Sequence, residues 1–172
     1  MSLPRGIRNN NPLNIRRTGK DQWKGLSKTQ CDRSFCQFET LEWGWRAAFY
    51  LLTRTYYHKY RLYTIRAIVN RWAPKADHND TAAYIANVSR LTGIAPDAPL
   101  GIPSEQPARW MMLGAAMAIQ ENGLIKREQS DARISSAERE DCRPQVNGTS
   151  SLDYFAMLRG WDLLDERGRQ DR

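Results

Sequence analysis

The sequence predicts a mainly α-helical (α+β) domain with a small N-terminal β-hairpin, on three observations. Several segments repeat apolar residues at steps of three and four behind recognisable caps. One run, ARWMMLGAAMAIQENG at 108–123, is apolar almost throughout. The first forty residues instead read as turns and two short strands. The chain has 172 residues, 41% hydrophobic and 26% charged, which suits one globular domain with a tail. We place the domain at 1–123, with 124–172 as a charged linker and a short C-terminal helix.

Asparagines and a proline in RGIRNNNPLNIRR, residues 5–17, predict an irregular opening. Leu13 to Arg16 alternate as a short strand would, and a second strand is expected around Cys31 to Phe38. Thr40 can cap a helix in which Leu41, Trp45, Ala48, Phe49, Leu52 and Tyr56 share a face, ending near His58. Thr64 precedes Ile65, Ile68, Val69 and Trp72, a stripe that Pro74 terminates. Lys75 to Asp80 reads as a loop. Asn79, Asp80 or Thr81 caps a further helix, with Tyr84, Ile85, Val88 and Leu91 on one side and Gly93 as its stop. Four prolines make 95–107 an extended connector into the apolar run. Trp110, Met111, Met112, Leu113, Ala115, Ala116, Met117 and Ile119 leave that run no polar stripe, so its helix must be covered on nearly every side. Charges of both signs crowd 126–143, and Leu152, Phe155, Leu158 and Trp161 follow as a short amphipathic helix expected to pack on its own domain.

The net charge of +7 is concentrated near the N-terminus, where Arg5, Arg8, Arg16, Arg17, Lys20, Lys24, Lys28 and Arg33 face only Asp21 and Asp32. An anionic partner follows: nucleic acid, an anionic cell wall or a headgroup surface. No run approaches the ~20 apolar residues of a membrane span, so membrane insertion is not expected. Met1 to Arg8 lacks the apolar core of a signal peptide, which implies cytoplasmic synthesis. Cys31, Cys36 and Cys142 form no CxxC pair, and with only His58 and His78 no zinc spacing arises, so neither metal nor organic cofactor is expected. Reduced thiols are the default, with a Cys31–Cys36 bridge across the hairpin as the alternative.

Glu121 closes the apolar run, where the helix C-terminus is partly negative and the surroundings are apolar. Both disfavour ionisation, which suits a general acid; the plain alternative is a glutamate that has reached solvent. Cleaving a glycosidic bond commonly needs a second carboxylate. Asp32 and Glu39 are the candidates, Asp32 first, because Glu39 abuts the helix that begins after Thr40; a hairpin surface charge is the ordinary role for Asp32. Asn9, Asn10, Asn11 and Asn14 offer uncharged donors and acceptors for sugar hydroxyl and acetamido groups, or serve turns and caps. Trp23, Trp72 and Tyr84 could wall a sugar site, Trp23 best because it lies in a polar loop. A cysteine peptidase using Cys31 or Cys36 with His58 or His78 is a weaker rival. Nucleic-acid binding rests on the basic N-terminal lobe, without a recognised motif.

Asn11, Pro12, Leu13, Asn14, Ile15 and Arg16, then Trp23 and Gly25, Phe35, Phe38, Glu39 and Gly44 to Ala47, and the stretch from Trp72 to Tyr84 resemble the glucosaminidase family of peptidoglycan hydrolases. That resemblance implies a lysozyme-like fold cutting peptidoglycan glycan strands, as a hydrolase or lytic transglycosylase. The family places its catalytic glutamate on a helix before the NPLNI-like strand, whereas only ten residues precede Asn11 here. The run ending at Glu121 resembles that helix at the opposite end, so a circular permutation is expected, with Glu121 beside Asn9 to Ile15. RGIRNNNPLNIRR, RWAP and NDTAAYI, across 5–123, also resemble virion structural proteins encoded in phage and Bacteroides-type genomes. This implies a phage or prophage origin, virion components as partners, and a virion-associated or wall-released protein. A non-catalytic virion protein with a lysozyme-like fold is the alternative to the enzyme.

Overall fold

The computed structural model describes residues 3–123 and 154–165. They are mainly helical, in six α-helices: α1 Arg5–Arg8, α2 Leu41–Tyr50, α3 Ile65–Trp72, α4 Thr81–Thr92, α5 Pro107–Asn122 and α6 Tyr154–Asp165. The chain divides into two compact units, the first made of Met1–Ala48 with Glu121–Arg172 and the second of Phe49–Gln120. The expected linker at 126–143 and Leu152 lie outside the described residues.

In the first unit, α1 is a single turn where an irregular opening is expected. The hairpin reduces to two isolated antiparallel bridges among the described residues, Arg16 with Phe35 and Leu26 with Phe38. Side-chain amides take over the backbone partners that a longer ladder would have used. Gln37 Oε1 accepts from the N–H groups of Cys31 and Asp32, and Gln30 exchanges two bonds with the Gln37 backbone. Asn11 donates to the carbonyls of Ile15 and Cys36 and accepts from Ile15 N–H. The lobe is therefore held by amide side chains around Leu13, Ile15, Cys36 and Phe38, all at most 5% exposed.

Helix α2 begins after Thr40, whose hydroxyl accepts from Trp43 N–H at 3.4 Å. Trp45, Ala47 and Ala48 are fully buried. At Gly44 the helix passes so close to the N-terminal segment that a Cβ would meet the Asn10 carbonyl. Helix α6 packs against the same helix: a Cβ at Gly160 would lie 2.5 Å from Trp45 Cβ and 2.9 Å from Arg46 N. Its inner face is Ala156, Met157, Gly160 and Leu164, so docking of the C-terminal helix is present on a different stripe from the expected one. Phe155, expected on the packing face, is 77% exposed. The small residues at 156 and 160 allow the approach, and Phe155 lies off their line.

In the second unit the helix continues from α2 through Leu51–Lys59 in π-helical form, with Tyr60 N–H bonded to Thr55 O, five residues back. The Thr53 hydroxyl donates to Phe49 O at 2.7 Å and so competes for the carbonyl that a regular turn would use. Phe49, Leu52 and Tyr56 are buried as their spacing predicts. Thr64 caps α3 by accepting from Ala67 N–H, and Ile65, Ile68 and Val69 are fully buried. Pro74 follows α3, and Lys75–Asp77 forms a 3₁₀ turn within the expected loop. Asp80 caps α4 through Ala83 N–H, and Gly93 closes it in the left-handed conformation. Leu91 is 39% exposed and Thr92 is buried in its stead, one residue round the helix. In α5, Trp110, Leu113, Met117 and Ala118 are fully buried, while Met112 is 43% exposed, so its cover is incomplete on one side. The connector is pinned by Leu100 N–H on Tyr63 O and by Trp110 Nε1–H on Gly101 O.

Candidate functional site

The first unit contains both the asparagine-rich segment and the last two residues of α5, and they meet. Asn14 Nδ2 donates to Glu121 Oε2 at 3.1 Å across 107 positions of sequence. Asn122 Nδ2 donates to Pro12 O at 2.8 Å, a tie that the sequence reading missed because it took Asn122 only as a helix stop. Gly6 lies beneath this junction: a Cβ there would collide with Asn122 Oδ1 and crowd Asn11 O and Asn14 Oδ1. Glu121 is half-buried rather than free in solvent. Asn14 has φ 51°, in the left-handed region that asparagine tolerates better than most residues. That backbone turn aims its amide at the carboxylate.

The other asparagines are spent on the scaffold. Asn9 is 5% exposed, donates to Asp32 and accepts from Gln37. Asn10, at φ 51°, donates to the carbonyls of Phe38 and Glu39, and Asn11 is fully buried with both ends of its amide bonded. Their geometry is that of turn formers and staples. Asn14 is the one of the four whose side chain reaches Glu121.

Asp32 is likewise committed. It accepts from Arg5 Nε at 2.6 Å, Arg5 Nη2 at 2.7 Å, Asn9 Nδ2 and the N–H groups of Ser34 and Phe35. Arg5 in turn lies over the Phe35 ring, 4.5 Å from its centroid. Burial alone would raise the Asp32 pKa, but the bonds from Arg5, Asn9, Ser34 and Phe35 more than offset it and hold the carboxyl well below the usual carboxylate range. A depressed folded-state pKa stabilises the fold above the unfolded value of about 4, and that contribution is lost as pH falls toward the folded one. Acid titration followed by circular dichroism should show wild type weakening from about pH 4 downward, with a flatter profile for Asp32→Asn. Equal profiles would remove Asp32 as the source.

Glu39 is exposed at the entry to α2. Trp23 is half-buried in the polar loop. Trp72 and Tyr84 belong to the second unit. There Trp72 meets Tyr56 edge-on at 6.3 Å, and Tyr84 is 6% exposed.

Cys31 is disulfide-bonded, against the default of reduced thiols. Cys36 is free and buried, so the Cys31–Cys36 bridge is not formed. Burial pushes the Cys36 thiol up to about 12, far from the thiolate that a cysteine nucleophile needs at neutral pH. Native protein at pH 8 should leave Cys36 unalkylated by iodoacetamide over a time that fully modifies the unfolded chain, read by peptide mass spectrometry. Because an unfolded thiol ionises near 8.5 and the folded one does not, the same residue lowers stability as pH rises above that value.

Among known proteins, the chain is similar to Protein P5 of Pseudoalteromonas phage PM2, at 47% identity over 92 residues. The match covers 52% of this chain and 56% of that protein, so the chain spans about half the length of the curated relative it matches. No family model matches. The likeness supports the phage side of the sequence reading. It lends nothing to a Bacteroides-type source or to a lysozyme-like family.

Proposed function

We propose that this chain is a phage protein associated with the virion, and that it cuts the glycan strands of bacterial peptidoglycan with Glu121 as the acid. The likeness to a phage protein supports the first half of that reading. The Asn14–Glu121 contact carries the second, since a circularly permuted lysozyme-like domain requires the helix-end carboxylate to return to the asparagine-rich segment.

Asp32 is bound to Arg5 and Asn9, so it is poorly placed to serve as a free second carboxylate. The chemistry that suits a single acid is a transglycosylase-type cleavage. Glu121 protonates the glycosidic oxygen, and the C1–O bond breaks. A hydroxyl of the same sugar attacks C1, and its proton returns to the Glu121 carboxylate, leaving an anhydro sugar end. Asn14 Nδ2–H orients the group. Glu39, exposed at the entry to α2, is the alternative second group if water rather than the internal hydroxyl completes the reaction.

A non-catalytic virion protein is the second reading, favoured by the locked Asp32 and by the phage likeness. Turbidity clearing of purified peptidoglycan separates the two. Wild-type activity that disappears in Glu121→Gln supports the enzyme. No clearing by wild type, or equal clearing by both proteins, overturns it.

A further inference from the structure

From Trp43 to Ala76 the sequence holds no aspartate or glutamate, while Arg46, Arg54, Lys59, Arg61, Arg66, Arg71 and Lys75 lie within it. From Phe49 onward this stretch belongs to the second unit, where it forms the end of α2, the π-helical segment, the turn after it and α3. Within the stretch, Arg66 pairs with Asp97 at 2.8 Å, as Arg5 does with Asp32 in the first unit. Lys59, Arg61 and Arg71 have no carboxylate partner among the described residues. Two of them lie on aromatic rings instead: Arg71 is 3.8 Å from the Tyr60 centroid, and Lys59 is 5.6 Å from it. Tyr60 is 38% exposed and Tyr63 45%. Neither ring hangs on a loose loop. Tyr60 N–H is bonded to Thr55 O, Leu62 N–H to Tyr56 O and Leu100 N–H to Tyr63 O, and the Tyr63 ring rests edge-on against Tyr57 at 5.1 Å.

We propose that this face binds single-stranded nucleic acid, with phosphates at Lys59, Arg61 and Arg71 and a base stacked on the exposed Tyr63 ring. Cations without carboxylates supply the attraction to a polyanion, and it weakens with salt. Charge alone would serve any polyanion. The rigidly mounted π-face of Tyr63 singles out a ligand that carries rings as well as phosphates, because every base has a face to stack. A duplex hides those faces, and a sulfated glycan has none. The inference is independent of the glycan-cutting reading, since it uses neither Glu121 nor Asn14.

The test is fluorescence anisotropy of the full chain with a labelled fifteen-nucleotide oligo-dT, a duplex of the same length and labelled heparin, across a salt series. The expected result is binding to oligo-dT tighter than to duplex or heparin. The double variant Lys59→Gln/Arg71→Gln should lower the log–log salt slope by roughly 1.4, at ~0.7 for each phosphate no longer neutralised. Tyr63→Leu should weaken binding about fivefold or more at fixed salt with the slope unchanged, and Tyr63→Phe should retain affinity. All the altered side chains are exposed, and matching circular dichroism melts check the fold. Binding that is absent, equal for all three ligands, or insensitive to Tyr63→Leu would overturn the proposal. So would a loss of all affinity on Lys20→Gln/Lys24→Gln in the N-terminal lobe, which would place the site there.

Discussion

Gly44→Ala, at a buried position, should cost the first unit about 3 kcal/mol, more than single changes at its exposed or half-exposed positions. On propensity alone the exchange would gain up to ~1 kcal/mol, because alanine is the better helix former. The clash decides the sign. A methyl at position 44 would run into the carbonyl oxygen and carbon of Asn10 and touch Pro12 Cδ at 3.0 Å. None of these atoms is the free end of a flexible side chain. Asn10 already sits at φ 51°, its N–H is bonded to Ile7 O, and its amide holds the Phe38 and Glu39 carbonyls. Pushing it away therefore disturbs the bonds that replace the hairpin ladder. Chemical denaturation of Gly44→Ala should show a lower midpoint with an unchanged slope, whereas Gly19→Ala, at an open loop glycine with nothing within 4 Å, costs only its φ strain. Equal stability for wild type and Gly44→Ala would mean that α2 and the Asn10 segment are not in this contact.

The helices of the second unit were legible because their signals are local. Thr64, Asp80 and Gly93 each act within four residues, and the stripe of Phe49, Leu52 and Tyr56 needs only periodicity to be read. The π-helical turns were not legible. The Thr53 hydroxyl bonds Phe49 O there, but Thr92 bonds Val88 O in the same way within the regular helix α4, so a threonine at a helical position does not announce the change of pitch. Leu91, Met112 and Phe155 misled for another reason. Each fits an apolar pattern at the resolution of a helical wheel, but the neighbour one residue away, Thr92, Leu113 or Ala156, turns out to be the one covered.

The N-terminal lobe divides along the same line. Its asparagine density marks turns, and Asn10 and Asn14 do adopt left-handed conformations. What density cannot tell is which amide is spent on the backbone and which reaches a functional group. Asn10 and Asn11 are spent on backbone groups, Asn9 on the carboxylate that Arg5 also holds, and Asn14 on Glu121, although all four look alike in sequence. The Arg5–Asp32 pair was missed because its partners are 27 residues apart, and Arg5 reads as one more surface cation. The approach of Glu121 to Asn14 was anticipated only through the family resemblance, because neither charge nor periodicity connects positions 107 apart.

The proposed acid should dominate activity, and the size and coupling of its loss distinguish it from a bystander. If Glu121 transfers protons in both steps, Glu121→Gln should reduce glycan cleavage by ~10²–10⁴-fold while leaving substrate binding nearly intact, because glutamine keeps the shape and loses only the exchangeable proton. Asn14→Ala should cost less, about tenfold, because it removes the N–H that orients the carboxyl and leaves the acid in place. The decisive measurement is the double variant. When Asn14 acts only through Glu121, its removal has nothing further to disturb once the acid is gone, so Asn14→Ala/Glu121→Gln should be no slower than Glu121→Gln alone. Rates of reducing-end release and of anhydro-end formation, followed by mass spectrometry of soluble fragments, supply the cycle and identify which hydroxyl completes the cleavage. Multiplicative losses would mean that Asn14 contacts substrate independently. A Glu121→Gln protein as active as wild type would leave the Asn14–Glu121 contact as a structural clasp between the end of α5 and the asparagine-rich segment.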